Sequence, residues 1–451
     1  KQADGNDFIH CRRLDVITDF TPAGREYLSH AVAVGDVFAR QGDARIMADR
    51  VTADFDPDAN ADAPTGSARL LTADGDVTIL DTSDPNAPVR VTADAAEANS
   101  VARQAVLRGR PARVRQAANL LAGDEIRMGE KPADGAEPNE PARSVHVVGA
   151  GALEFETTRG VDGRDLASPR PVRITWQRRM DYLGERERAE FDGQVRLASG
   201  GSRMWCSRME VDFRRTPGPS GASPAATDRA GEPGRQRGAL GMNDYSRRKI
   251  VRIVTRGDVT ASDLLVEGGR LLRRMRVTGP QIAYDADAGS VTVPGAGTFL
   301  LADYRPPRQA ADDATSPEPA ERLRRPYQVT FQWGELMRLN LRGDSNTPGV
   351  AASDRAITMT GGVGAVFVSG RHVVVRERMA LPEWPELTAG RQTSLECRKL
   401  VAIFDDPNPP PDAAGRGPGV GEMKSFTASG NVHMVDGEVV RSSVGPAIKI
   451  D

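Results

Sequence analysis

The chain reads as short runs in which apolar and polar residues alternate with period two. Such runs occupy 32–39, 77–80, 145–155, 172–176, 195–198, 250–254, 291–301, 329–333, 363–369 and 372–375. That alternation predicts strands with one buried face. The 3.6-residue period of a helix is scarce, with 95–107 and 319–325 the two candidates. Between strands lie stretches rich in Pro, Gly, Asp and Ala, near 57–68, 131–143, 159–170, 216–243, 305–325 and 405–422. A run such as Pro217-Gly218-Pro219-Ser220-Gly221 buries too little apolar surface to order itself. These stretches are read as flexible surface insertions, because the same strand pattern resumes after each one.

One longer pattern recurs, with apolar residues at i, i+2, i+5, i+7 and i+9. It runs Ile46, Ala48, Val51, Ala53, Phe55 and returns as Met204, Cys206, Met209, Val211, Phe213. It appears again as Leu395, Cys397, Leu400, Ala402, Phe404, and with a proline as Met275, Val277, Pro280, Ile282, Tyr284. Shorter versions are Val91, Ala93, Ala96, Ala98; Leu121, Gly123, Ile126, Met128; and Ile9, Cys11, Leu14, Val16. Steps of two keep side chains on one face of a strand. The single step of three breaks that parity, and a bend or bulge at i+3/i+4 restores it. The corner often carries an aspartate (Asp49, Asp94, Asp124), and the i+2 slot is small. The chain opens on one of these motifs and closes on Ala447-Ile448-Lys449-Ile450-Asp451, which alternates like a strand in progress. Both ends are therefore expected to be cut.

A second signature is Gly-x-Val, at Gly35, Gly75, Gly193, Gly257, Gly361 and Gly430. In two copies the bent-strand motif begins 11 residues after the glycine, which leaves room for one hairpin. On a larger scale, 148–153 matches 294–299 and 172–177 matches 327–332. The expected organisation is a set of N-terminal repeats over 1–118, a first super-repeat over 119–215, a second over 244–405 and a partial repeat over 423–451. Segments 216–243, 305–325 and 405–422 are the insertions. A hairpin of this kind cannot bury its apolar face alone, so neighbours stack edge to edge. The predicted fold class is all-β, an elongated stack of bent β-hairpins with long irregular loops.

Residues Gly35-Asp36-Val37 through Ile46-Met47-Ala48-Asp49-Arg50-Val51-Thr52-Ala53-Asp54-Phe55 resemble the OstA-like family, the periplasmic lipopolysaccharide-transport group that includes the LptA, LptC and LptD N-terminal modules. Residues 191–195 through Phe213, and Ser429-Gly430-Asn431-Val432, carry the same resemblance. It implies a V-shaped β-jelly roll, or β-taco, whose apolar groove shields acyl chains while sugars and phosphates stay in water. It also implies outer-membrane biogenesis as the setting, and modules that join through edge strands to other OstA-like envelope proteins or to a second copy. The groove is then expected at Val37, Ile46, Ala48, Val51, Phe55, Val195, Met204, Cys206, Met209, Val211, Phe213, Met275, Ile282, Leu395, Cys397, Leu400 and Phe404. The expected location is the periplasm or envelope of a Gram-negative-type bacterium, reached through an N-terminal targeting segment that this sequence lacks.

Composition narrows the chemistry. With 60 basic and 62 acidic residues the formal charge is −2, so no global field draws the chain to nucleic acid. No apolar run reaches the ~18 residues of a membrane helix. The three cysteines, Cys11, Cys206 and Cys397, share the i+2 slot and are read as small buried hydrophobes. The Gly149/Gly151 and Gly295/Gly297 pairs lack the third glycine and following helix of a dinucleotide loop. The five histidines, His10, His30, His146, His372 and His433, have no metal-ligand spacing. No carboxylate pair stands out for glycoside chemistry. No metal, cofactor or catalytic residue is therefore expected. Arginine clusters at 108–115, 178–188, 247–249, 270–276 and 322–325 suit either phosphate contacts or charged edge protection.

The expected function is non-enzymatic: an envelope protein that shields or relays a lipid or glycolipid. The alternatives are a carbohydrate-active or adhesive β-helix, or a purely structural rod. The uneven repeat spacing and the 5% aromatic content speak against the carbohydrate reading.

Overall fold

The computed structural model describes residues 8–21, 24, 26–56, 68–131, 142–159, 165–215, 248–304, 327–341, 355–369, 372–374, 386–388, 391–404, 423–436, 439–443 and 448–450. Apart from the 3-10 turn Gly184–Arg186, every helix or strand among them is a strand. The all-β expectation holds.

The strands of the first half are β1 (Phe8–His10), β2 (Arg13–Phe20), β3 (Glu26–Gln41), β4 (Ala44–Phe55), β5 (Ala68–Asp81), β6 (Val89–Asn99), β7 (Gln104–Gln116), β8 (Asn119–Lys131), β9 (Ala142–Arg159), β10 (Asp165–Trp176), β11 (Arg179–Leu183), β12 (Arg188–Ser199) and β13 (Ser202–Arg215). Those of the second half are β14 (Arg248–Glu267), β15 (Arg270–Asp285), β16 (Ser290–Pro294), β17 (Gly297–Asp303), β18 (Tyr327–Trp333), β19 (Leu336–Asn340), β20 (Arg355–Ser369), β21 (His372–Val374), β22 (Glu386–Thr388), β23 (Arg391–Phe404), β24 (Met423–Ser429), β25 (Val432–Asp436), β26 (Val439–Ser443) and β27 (Ile448–Ile450).

Two sequence expectations change. Segment 95–107, a helix candidate, is the end of β6, a turn and the start of β7. The helix-like spacing of Ala98, Val101, Ala102 and Ala105 spans the turn between β6 and β7, where Val101 is 70% exposed. The run 291–301 divides into β16 and β17 at Gly295-Ala296. The other helix candidate, 319–325, lies outside the described residues, as does most of each predicted insertion. The exception is 165–170, which opens β10.

The chain forms two compact units. Unit 1 comprises Lys1–Glu156, Arg173–Gly193 and Glu210–Ile250. Within it β3 to β9 form an antiparallel meander in chain order. Both β1 and β2 pair with β3, and β11 lies between β9 and β12. The core of the first strands is Ala33, Val37, Ala48, Val51, Ala73 and Val77, with Cys11, Ile46, Leu71, Ile79 and Ala96 packed against it.

Unit 2 comprises Thr157–Val172, Gln194–Met209 and Val251–Asp451. Here β15 pairs with β14 along its length, with β17 through 273–278 and with β16 through 283–285. The ladder continues through β18 and β19 to β20, then to β23, and from there to β24 and β25. Phe299, Phe331, Phe367 and Phe426 follow one another across β17, β18, β20 and β24, with ring centroids 5.9, 6.0 and 5.1 Å apart. Such contacts add to the stabilisation from burial itself.

Candidate functional site: corner seams and the inner apolar face

The two sequence signatures are the two sides of one device. Val37 pairs with Ala48 and Val34 with Arg50, so Gly35-Asp36 together oppose the single residue Asp49. On its other side Asp49 faces Gly75-Asp76 in β5, and Gly75-Asp76 face Asp94 in β6. One strand thus steps by three between inner positions (Ala48 to Val51), and its neighbour steps by four (Ala33 to Val37, Ala73 to Val77). Both arrive back on the same face after the bend.

The extra residue is accommodated by two successive left-handed conformations. Gly75 has φ +78° and Asp76 +45°. The glycine is required there, because a Cβ would strike the Asp49 side chain. Aspartate and asparagine tolerate the second position better than most residues. The small i+2 slot is also explained, since it pairs with the valine of Gly-x-Val: Val37 with Ala48, Val77 with Ala93, Val363 with Cys397.

In unit 2 the same arrangement places Gly257-Asp258 opposite Pro280 and Gly361-Gly362 opposite Arg398. Pro280, read from sequence as an inner slot, is exposed and sits at the corner. The motif is displaced by two residues here: Gly279 fills the small i+2 slot, paired with Val259, and Ile282 fills the i+5 slot, paired with Thr255. A corner suits proline, since its missing N–H leaves no ladder hydrogen bond to lose.

The predicted groove residues fall in two sets. Unit 1 holds Val37, Ala48, Val51 and Val211, all buried, with Ile46, Phe55 and Phe213 half-buried. Unit 2 holds Val195, Cys206, Met209, Ile282, Leu395, Cys397, Leu400 and Phe404, all buried, with Met204 and Met275 half-buried. The inner face also includes residues the sequence motif missed, such as Ala33, Ala73, Phe191, Met359 and Ala428. All five sit two residues before a Gly-x-Val glycine, and a search for the step of four would have found them.

Exposure along the inner face of unit 1 is graded. Ile9, Leu14 and Val16 of β1 and β2 are 42, 46 and 53% exposed. Ile46, Leu71 and Ile79 are half-buried, and Val91, Val114 and Ile126 are closed at 0%. The apolar face is therefore open at its first strands and filled by its own side chains further along.

The electrostatics are those of a scaffold. Burial pushes the Cys206 thiol up to about 12, and burial likewise pushes Cys397 up to about 11. Both are poor nucleophiles and metal ligands at neutral pH. Against the pull of burial, hydrogen bonds from Arg127 and Arg108 hold the Glu125 carboxyl below its ordinary range. The hydrogen bond to Asp212 raises Arg188. His30 and His146 are each held by a carboxylate, Asp54 at 2.6 Å and Asp181 at 2.9 Å. Among the described residues no group of three or more His, Cys, Asp or Glu side chains is placed to hold a metal ion. No described helix is long and apolar enough to cross a membrane.

Comparison with known proteins places part of the chain. No curated protein matches it. Among solved structures it is similar to LptH of Pseudomonas aeruginosa, described as the LptA homologous periplasmic component of the conserved lipopolysaccharide transport device. The identity is 16%, the match covers 30% of this chain and 90% of that one, and the TM-score is 0.21. A family model described as LptA/(LptD N-terminal domain) LPS transport protein matches residues 25–132, the segment that contains β3 to β8. The resemblance carried by Gly35 through Phe55 is thus a match to the LptA/LptD N-terminal family over residues 25–132.

Proposed function

We propose that this chain shields the acyl chains of a lipopolysaccharide-like lipid along the inner apolar face of unit 1, in the periplasm or envelope, without catalysing a reaction. The observation that carries the reading is the graded inner face, mainly apolar and open at Ile9, Leu14 and Val16. It lies beside and within the segment that matches the lipopolysaccharide-transport family. Each CH2 moved from water onto such a face is worth about 0.8 kcal/mol. A few methylenes of one chain therefore give useful affinity.

Among the described residues β1 and β2 pair only with β3. Their free edges can accept a strand from another envelope protein of this kind. The closed slots Met209, Leu400 and Phe404, each at 0% exposure, favour a second reading in which the repeats serve as a structural rod.

A photo-crosslinking amino acid placed at Leu14 or Val16 separates the two. Capture of an acyl lipid in cells, with none captured from Arg13 or Asp15 on the opposite face, supports shielding. Equal capture from both faces, or none from either, leaves the rod.

A further inference from the structure

The outer face of unit 1 carries a second feature. Between Arg108 and Ala112, β7 inserts Gly109-Arg110-Pro111 opposite the corners Asp94 and Asp124. A pocket of about 970 Å³ opens beside this bulge. Its floor is small, because Arg113 pairs with Ala122 and Ala122 with Ala152 across three strands. Arg115 and Arg90 extend the same face, directly opposite each other on β7 and β6. Like charges placed so are unfavourable unless something anionic lies between them.

Nearby arginines are neutralised within the fold. Arg108 meets Glu125 at 2.9 Å, Arg127 meets the same carboxylate at 2.5 Å, and Arg173 meets Glu154 at 3.4 Å. Arg90, Arg113 and Arg115 are exposed and form no ion pair with any described residue. Asp94 and Asp124 line the opposite end of the pocket and flank Arg110.

We propose that this pocket binds a phosphorylated sugar. Arg113, which lines the pocket, would hold the phosphate together with Arg115 and Arg90 just beyond the lining on the same face, while Asp94 and Asp124 accept hydrogen bonds from sugar hydroxyls. Guanidinium forks match phosphate oxygens in pairs, and carboxylates accept from hydroxyls. The two ends of the pocket therefore suit the two ends of such a ligand. The site lies on the face opposite the closed slots Val114 and Ile126, so it stands whether or not acyl chains occupy the inner face.

Isothermal titration of the whole chain with a hexose 1-phosphate and with the unphosphorylated hexose tests the site. Binding of the phosphate form alone is expected, weakening with added salt. About a tenfold loss is expected for each of Arg113→Gln and Arg115→Gln. Vesicles containing phosphatidic acid, set against phosphatidylcholine alone, distinguish a lipid-borne phosphate from a sugar phosphate: hexose 1-phosphate binding that depends on Arg113 supports the site, and binding of phosphatidic acid alone overturns the sugar assignment. Circular dichroism checks that the variants stay folded, and Arg127→Gln serves as a charge-matched control expected to bind normally. Absence of binding in both arms overturns the proposal, as does binding that the arginine variants leave unchanged.

Discussion

Paired left-handed residues, not a generic turn, bend these strands. At Gly75 a methyl group meets both the Asp49 side chain and a φ of +78°. Gly75→Ala is therefore expected to cost about 1–3 kcal/mol, read as a shift in denaturant midpoint. Asp76→Asn should cost only a few tenths, because asparagine tolerates the same conformation.

Among the described residues, the two buried tryptophans provide a matched comparison. The indole Nε1 of Trp333 donates to the Gly295 carbonyl at 2.9 Å, whereas Trp176 Nε1 is buried without a protein partner. Replacing each with phenylalanine removes similar volume, so Trp333→Phe should be the more damaging by about 1 kcal/mol. Equal losses would contradict the assignment.

The cysteines give a pH signature. Cys206 has its thiol raised from about 9 to about 12, so the folded state holds a proton that the unfolded state loses first. The contribution is complete below about pH 9 and is lost progressively as pH rises toward 12. A Cys206→Ala variant should show a flatter fall in thermal midpoint across that window. In the native protein a thiol reagent at pH 8 should label the half-buried Cys11 before Cys206 or Cys397.

At the scale of the element, one strand's step of three meets its neighbour's step of four. Leu400 on the first kind and Met359 on the second pair across β23 and β20, and both have 0% exposure. Leu400→Asp should abolish cooperative unfolding, because a charge there is buried without a partner. Leu14→Asp, on the open part of the inner face, should leave the fold intact. The bent-strand motif was legible because parity breaks are visible in an alternating pattern. Its partner went unseen because Ala33, Ala73 and Ala428 are weak apolar signals spread across a glycine. The helix suggested for 95–107 failed for another reason, a hairpin turn after Asn99 whose apolar spacing resembles a helical turn.

Across the whole molecule, the chain contains two equivalent strand sets. Gly123, Val147, Gly151, Trp176 and Arg178 make the same contacts in unit 1 as Gly279, Val293, Gly297, Trp333 and Glu335 make in unit 2. Gly123 and Gly279 pack under a valine methyl, and Gly151 and Gly297 under a tryptophan ring. The amides of Gly149 and Gly295 donate to the carbonyls of Arg178 and Glu335. This corrects the alignment of 172–177 with 327–332, which is displaced by two residues. Trp176 corresponds to Trp333, not Phe331. A slip of two leaves an alternating pattern unchanged, so periodicity alone could not fix the register.

Both sets are closed on their inner faces, with Ile126 and Val293 each at 0% exposure, and the open strands β1 and β2 adjoin the family-matched segment instead. Lipid extraction and mass spectrometry of the purified chain test the lipid-shielding account most directly. An acyl lipid that co-purifies with the wild-type chain and is depleted at least tenfold in a folded Leu14→Asp/Val16→Asp variant is the predicted result. A wild-type chain that carries no lipid, or a variant that carries as much as the wild type, would contradict it.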